Sequence, residues 1–181
     1  LNGFAIINTG GDSTQSEGVT FSARRSVTIR NGTIQGFYRG INGNGNSPGI
    51  VVENMRVVSN YFPGILLQPS TGVPGGIVRN NFVIGTGGTT VGAADLEIRG
   101  IECCCGSFVV ANNFVTHTRG KGTLAGYGIH LNNSLDTFVV GNFVSQSDTG
   151  IRLNGPNEYR DNFTSNCDTN YVAGTDRGNN F

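Results

Sequence analysis

The amino-acid sequence predicts an all-β solenoid, in which a single chain winds through stacked parallel strands. Two interleaved phrases predict this fold. In the first, an Asn is followed by a mostly apolar run, as in Asn113-Phe114-Val115; in the second, a Gly precedes a β-branched residue, as in Gly128-Ile129. Repeats of constant strands joined by gaps of variable length are typical of solenoids. No segment shows the sustained 3.6-residue apolar periodicity of a helix.

The copies of the two phrases are spread over the whole sequence. The first phrase begins at Asn31, Asn54, Asn81, Asn113, Asn142 and Asn162, and the second begins at Gly18, Gly40, Gly64, Gly100, Gly128 and Gly150. A β-sandwich is the competing fold, but it needs tight antiparallel hairpins, and Asn-Gly or Asp-Gly between two clean strands is rare here. The repeats therefore favour parallel stacking.

The first half of the chain alternates short strands with turns. Val27 to Arg30 alternates with the period of a half-buried strand, and Asn31-Gly32 turns the chain. Strands are also predicted at Gly40-Ile41, Ile50 to Val52 and Gly64 to Leu67. The segments between them are rich in Gly, Pro and Asn, which marks them as loops.

Two longer excursions interrupt the second half, from Gly85 to Arg99 and from His117 to Gly126. Both fall between an Asn phrase and the next Gly phrase. Insertions at equivalent points of a solenoid map to one side of it, which is often the binding face. We therefore expect them to wall one side of a cleft.

Composition limits the partners. The chain has 181 residues, 29 Gly, no Trp, 13% charged residues and a formal net charge of zero. Nucleic acids and anionic membranes select for basic surfaces, so neither is an expected partner. No apolar run is long enough to span a bilayer as a helix. We expect one domain over residues 1–181.

The amino terminus reads as an open strand. The sequence starts with Leu1 instead of Met and runs directly into an apolar stretch, Phe4 to Ile7. Solenoids normally cover their terminal coils, because uncovered strand edges pair with other chains. We expect a missing amino-terminal cap, or self-association through this first coil.

These phrases resemble the right-handed parallel β-helix repeat proteins, the pectate-lyase-like superfamily and its uncharacterised bacterial secreted or periplasmic members. Val27 to Ile34, the Gly-Ile starts and the Asn-Phe-Val returns carry the resemblance. It implies a right-handed parallel β-helix of about six or seven coils with three parallel sheets. It also implies a polysaccharide or oligosaccharide bound along the outside of one sheet, a secreted or periplasmic location and no cofactor.

One column of ionisable residues is predicted on the Gly-Ile sheet. Alternation points Ile129 and Leu131 inward and His130 outward. By the same parity Glu102 and Arg152 point outward, at about 4.8 Å from strand to strand. The three form either a solvated charge ladder or a catalytic group, in which Glu102 or His130 moves a proton and Arg152 neutralises a carboxylate. If they align, we expect His130 to titrate near neutrality.

Candidate substrate-binding residues surround this column. The two excursions would bring Arg99, Lys121 and Tyr127 to its rim. Aromatic residues before earlier Gly-Ile phrases, Tyr38, Tyr61 and Phe62, could extend a platform on which sugars stack.

The acidic residues favour some chemistries over others. The paired Asp and Gly-His-Gly of polygalacturonases, the Asp-Pro pattern of mannuronan epimerases and a clustered acidic calcium site are absent from the sequence. No metal site is therefore expected. Glycoside hydrolysis needs two carboxylates, whereas β-elimination needs one base and a neutralising cation. If the chain is an enzyme, a lyase fits better than a hydrolase; the alternative is a non-catalytic structural, adhesive or tailspike-like module.

Two further sets of residues are expected to be structural. The repeated Asn should form a side-chain ladder at left-handed turns, and Phe82, Phe114, Phe143 and Phe163 should stack inside the core in one column with Met55. In the run Cys103-Cys104-Cys105, alternation predicts that Cys103 and Cys105 point into the core and that Cys104 points outward. No disulfide is expected between neighbouring cysteines.

Overall fold

The computed structural model describes residues 1–10, 16–87 and 97–181, and within them all regular structure is β-strand. The strands are β1 (Ala5–Ile7), β2 (Glu17–Ser22), β3 (Thr28–Gln35), β4 (Arg39–Gly45), β5 (Ile50–Val58), β6 (Ile65–Pro69), β7 (Gly76–Arg79), β8 (Phe82–Ile84), β9 (Ile98–Cys104), β10 (Phe108–Ala111), β11 (Phe114–Thr116), β12 (Gly126–Asn132), β13 (Phe138–Val140), β14 (Phe143–Ser145), β15 (Thr149–Leu153), β16 (Glu158–Arg160), β17 (Phe163–Ser165), β18 (Thr169–Val172) and β19 (Thr175–Asp176). The described residues contain no helix that could cross a membrane.

The strands pair in parallel, as the repeats predict. A seven-stranded sheet runs in the order β2-β4-β6-β9-β12-β15-β18, so each strand pairs with its counterparts in the previous and next repeats. The other strands form a twelve-stranded sheet. The all-β, parallel character of the fold is confirmed.

The described strands form two sheets, whereas the resemblance to parallel β-helix proteins implies three. The first half of β5 pairs with β7 and its second half pairs with β8, so the twelve-stranded sheet forks at this strand. Asn54 lies at the fork with a left-handed backbone, φ 52°. A left-handed residue bends β5 without ending its hydrogen bonding, and this joins two strand columns into one sheet.

A single cluster of buried, mostly aliphatic side chains fills the space between the sheets. Val57, Val83, Val115 and Val144 are fully buried. The prediction that the Phe column is core is wrong: Phe82 is 52% exposed and Phe163 45%. Register explains the error, because Phe82 pairs with Arg56 and not with Met55. A slip of one residue exchanges the two faces of a strand.

The Phe rings nevertheless contact one another on the outside of the twelve-stranded sheet: the Phe114–Phe143 and Phe143–Phe163 pairs are stacked, and the Phe82–Phe114 pair is tilted. Their centroids are 5.7 Å apart for Phe82 and Phe114, 5.1 Å for Phe114 and Phe143, and 5.3 Å for Phe143 and Phe163.

The predicted Asn ladder is confirmed. Asn81, Asn113, Asn142 and Asn162 are buried, and each side-chain amide donates to the amide oxygen of the next residue in the column, ending at Asn180. The left-handed backbone lies one residue earlier, as at Asn80 and Asn112. The two roles that the sequence assigns to one Asn are therefore divided between neighbours.

The Gly of the second phrase is required by close stacking. A Cβ added at Gly40, Gly64, Gly100, Gly128 or Gly150 would lie 2.8 Å or less from a carbonyl oxygen of the adjacent strand. Real Cβ atoms do not approach that closely, so only Gly lets the strands stack here. These positions fix the register of the seven-stranded sheet.

The segment around β1 is largely exposed in this structure. Phe4 is 76% exposed and Ile7 53%. Self-association through these side chains stays a prediction.

Candidate functional site

Glu102, His130 and Arg152 lie side by side on the outer face of the seven-stranded sheet. His130 on β12 pairs with Glu102 on β9 and with Arg152 on β15. The predicted alignment of the three residues is therefore confirmed.

The expectation that all three face solvent is wrong for two of them. Glu102 is only 6% exposed and His130 only 3%, whereas Arg152 is half-buried. Arg99 and Tyr127, which pair with each other, share this outer face and crowd the column. Alternation assigns a side chain to a face of a sheet, but it does not show how deeply neighbours cover it.

Arginine–aromatic pairs line this face. The guanidinium carbon lies 5.3 Å from the ring centroid in the Arg39–Tyr38 and Arg99–Phe62 pairs, and 4.9 Å in the Arg152–Tyr127 pair. Tyr38 and Phe62 are themselves 5.7 Å apart. A cation and the face of an aromatic ring attract each other. The three pairs therefore form a strip of arginine and aromatic side chains along the sheet.

Tyr127 joins this strip to the buried column. Its ring lies 5.0 Å from that of His130, and its hydroxyl accepts a hydrogen bond from Nη1 of Arg152. At the other side of the column, Arg99 Nε is 3.4 Å from Glu102 Oε2. The structure thus connects Phe62, Arg99, Glu102, His130, Tyr127 and Arg152 in one group.

His130 is buried without hydrogen-bond partners for its ring. Neither Nδ1 nor Nε2 has one among the described residues. Burial lowers the pKa of His130 to about 4, and the positive charges of Arg99 and Arg152 act in the same direction. The expectation of titration near neutrality is therefore wrong, because desolvation of the imidazolium and the two nearby guanidinium groups all disfavour the charged form. At neutral pH His130 is uncharged.

Glu102 shows the opposite shift. Burial raises the pKa of its carboxyl above the ordinary value, and Arg99 and a hydrogen bond with Asn132 offset this only in part. A carboxylate with a raised pKa is a stronger base than an ordinary one.

Arg152 differs from the other two arginines of the strip. Arg39 pairs with Glu17 at 2.8 Å, and Arg99 pairs with Glu97 at 2.5 Å. Within the described part of the chain, Arg152 has no carboxylate partner; it donates to the Tyr127 hydroxyl and, at 3.4 Å, to Asn154 Oδ1. Arg152 is the cation of the site best placed to take an anionic ligand.

Two predicted binding residues lie apart from the group. Tyr61 and Lys121 are half-buried, and neither makes an ion pair, ring contact or side-chain hydrogen bond with it among the described residues. Residues 88–96, most of the first predicted excursion, lie outside the described residues, so its place as a cleft wall stays a prediction.

Sequence reasoning missed Arg39 and Asn132. Arg39 directly precedes a repeat Gly, as Arg99 and Tyr127 do, and Asn132 lies two positions after His130 on the same face. The position before each repeat Gly is therefore the signal for Arg39, as it is for Arg99 and Tyr127.

The cysteines depart from the expectation. Cys103 is buried and free, as predicted, but Cys104 and Cys105 are joined in a disulfide. Cys105 is half-exposed at the end of β9 with φ 68°, so it does not point into the core. Alternation fails here because the strand ends at Cys104.

Neither possible metal ligands nor cavities indicate a second candidate functional site among the described residues. Among the described residues, no group of three His, Cys, Asp or Glu side chains could hold a metal ion. An open depression of about 340 Å³ lies elsewhere, between Pro74, Phe108 and Asp136, and Asp136 is its only ionisable lining residue. The outer face of the seven-stranded sheet has more ionisable side chains than this depression.

Comparison with known proteins leaves the family open. No protein-family model matches this chain, and no curated protein matches it either.

Proposed function

We propose that this chain is a right-handed parallel β-helix of about six or seven coils that binds an acidic polysaccharide along the outer face of its seven-stranded sheet. The expected setting is outside the cell or in the periplasm, where such polymers occur. A repeating surface suits a repeating ligand, because each strand presents equivalent positions at a fixed spacing.

The half-buried guanidinium of Arg152 is the observation that carries the proposal. It lacks a carboxylate partner among the described residues and stacks on Tyr127. A planar guanidinium pairs with a carboxylate through two hydrogen bonds. Arg152 therefore provides the contact for the carboxylate of a uronate-type sugar, and Tyr127, which is only 6% exposed, holds the guanidinium in place.

A lyase activity is the second candidate, and the raised pKa of Glu102 favours it. In β-elimination a base removes the proton next to a carboxylate, the C–O bond to the leaving sugar breaks as a double bond forms, and the leaving oxygen takes up a proton from water. Glu102 would take the proton and Arg152 would neutralise the substrate carboxylate. Because Glu102 is 6% exposed, the substrate would have to displace part of the Arg99 and Tyr127 cover.

A panel of polysaccharides tests the proposal. We expect polygalacturonate and alginate to retard the protein in affinity electrophoresis, and neutral glucans of similar length to have little effect. Added salt should weaken the retardation, because the contact is ionic. No retardation by any polymer, or equal retardation by neutral and acidic ones, would contradict the proposal and favour a structural or adhesive module. Ultraviolet absorbance from unsaturated ends, followed in the same samples, separates lyase activity from binding alone.

A further inference from the structure

Asp148 lies just before β15 and hydrogen-bonds both ends of a chain segment, residues 120–126, beside the site. One of its carboxylate oxygens, Oδ2, accepts hydrogen bonds from the backbone amides of Gly120 at 2.7 Å and Gly126 at 2.6 Å. The other, Oδ1, accepts from Nη1 of Arg119 at 2.7 Å. A Cβ on Gly120 would overlap the carbonyl oxygen of Leu124, so the chain folds back tightly here. A single side chain thus clamps both ends of segment 120–126.

This clamp acts directly on the backbone of Tyr127. Gly126 precedes Tyr127 in β12, and Tyr127 pairs with Thr149, the residue after Asp148. The Tyr127 ring in turn contacts the His130 ring, and the Arg152 guanidinium lies over it. The hydrogen bond to the Gly126 amide therefore fixes the backbone position of Tyr127, from which its side chain extends over the site.

Asp168 provides a natural comparison. It also pairs with Nη1 of Arg119, at 2.9 Å, but its side chain is 70% exposed and it accepts no backbone amide of the segment. The Asp148 side chain is only 25% exposed. Exposed ion pairs contribute little, whereas a carboxylate that accepts several directed hydrogen bonds holds its partners firmly.

We propose that Asp148 is a positioning residue of this face: it holds segment 120–126 and thereby keeps Tyr127 packed against His130. Its importance for ligand binding rests on the proposed function, but its effect on Tyr127 and His130 does not need a ligand.

The two histidines of the chain give a direct readout. His117 is exposed and His130 is buried, so diethyl pyrocarbonate should modify His117 quickly and His130 slowly in the parent protein. In Asp148→Asn, which weakens the clamp, we expect His130 modification to accelerate on the order of tenfold, the size expected from losing a charged hydrogen bond. In the control Asp168→Asn the His130 rate should stay within about twofold. Mass spectrometry of the peptides gives both rates, with His117 as internal reference.

The segment itself gives a second readout. Trypsin should cleave after Lys121 faster in Asp148→Asn than in Asp168→Asn, because a released segment fits a protease better. Asp148→Glu, which restores the carboxylate with a longer reach, should recover part of the His130 protection.

Global unfolding is monitored by Cys103, whose free thiol is fully buried. His130 rates count only while Cys103 stays unreactive to a thiol reagent. If Asp148→Asn unfolds the chain, the His130 modification rate is measured in Arg119→Gln instead. An increase of about threefold over the parent supports the proposal, and an unchanged rate overturns it.

The outcomes separate the two proposals. Equal His130 rates in Asp148→Asn and Asp168→Asn would overturn the positioning role even if polysaccharide binds. A parent protein that binds no polysaccharide would remove the proposed function and leave the His130 result standing.

Discussion

Replacing Asn142 by Ala is expected to lower the free energy of unfolding by about 4 kcal/mol, because several buried hydrogen bonds depend on this one side chain. Its Oδ1 accepts from the backbone amide and the side-chain amide of Asn113, each at 2.9 Å. Its Nδ2 donates to the Val110 carbonyl at 2.9 Å and to Asn162 Oδ1 at 3.0 Å. Asn142 is 1% exposed, so water cannot replace these partners unless the structure opens locally.

Denaturant titration measures this effect against a matched control. Asn170→Ala removes the same side chain from an exposed position on β18 and should change the free energy of unfolding by less than about 0.5 kcal/mol. If the two variants differed by less than about 1 kcal/mol, the Asn ladder would not be a main source of stability.

The second large effect is a loss of stability in acid caused by His130. Its pKa is about 4 in the folded protein, against an ordinary value of 6.5. Between these pH values the unfolded chain takes up a proton that the folded protein does not. Stability therefore falls as the pH falls, by up to about 3 kcal/mol at pH 4, and almost nothing is lost above about pH 7.5.

Comparison with His130→Gln isolates this contribution. Gln cannot titrate, so the free energy of unfolding of the parent, relative to the variant, should decrease as the pH is lowered from 7 to 4. The raised pKa of Glu102 acts with the opposite sign, favouring the folded state in acid, but it is present in both proteins and largely cancels. A difference that does not change with pH would show that His130 is not held neutral by burial.

The seven-stranded sheet could be predicted from the sequence because Gly fixes it. Only Gly fits where a Cβ would strike the next strand, so Gly100, Gly128 and Gly150 mark equivalent positions. Once they are aligned, alternation gives the pairing of Glu102, His130 and Arg152. The Asn ladder is predictable for a similar reason, since few side chains can satisfy buried amides on both sides.

Other features depend on information that a repeat pattern does not hold. The repeat pattern aligns Met55 with Phe82 and so predicts a Phe column in the core, but Phe82 pairs with Arg56, and this difference of one residue reverses the face. The burial of Glu102 and His130 depends on the bulk of Arg99 and Tyr127, which belong to the same face but to another column. The Cys104–Cys105 disulfide forms where β9 ends, and alternation no longer applies there.

The most direct test of polysaccharide binding on this face compares two arginine variants. Arg152 and Arg160 both lie over an aromatic ring, Arg152 over Tyr127 at 4.9 Å and Arg160 over Phe138 at 5.3 Å, but Arg160 is on the twelve-stranded sheet. With polygalacturonate or alginate, whichever retards the parent more, Arg152→Ala should weaken binding on the order of tenfold, as for a lost charge-assisted contact. Arg160→Ala should leave it within about twofold. Equal losses in the two variants, or a loss only in Arg160→Ala, would contradict the assignment of the seven-stranded sheet as the binding face.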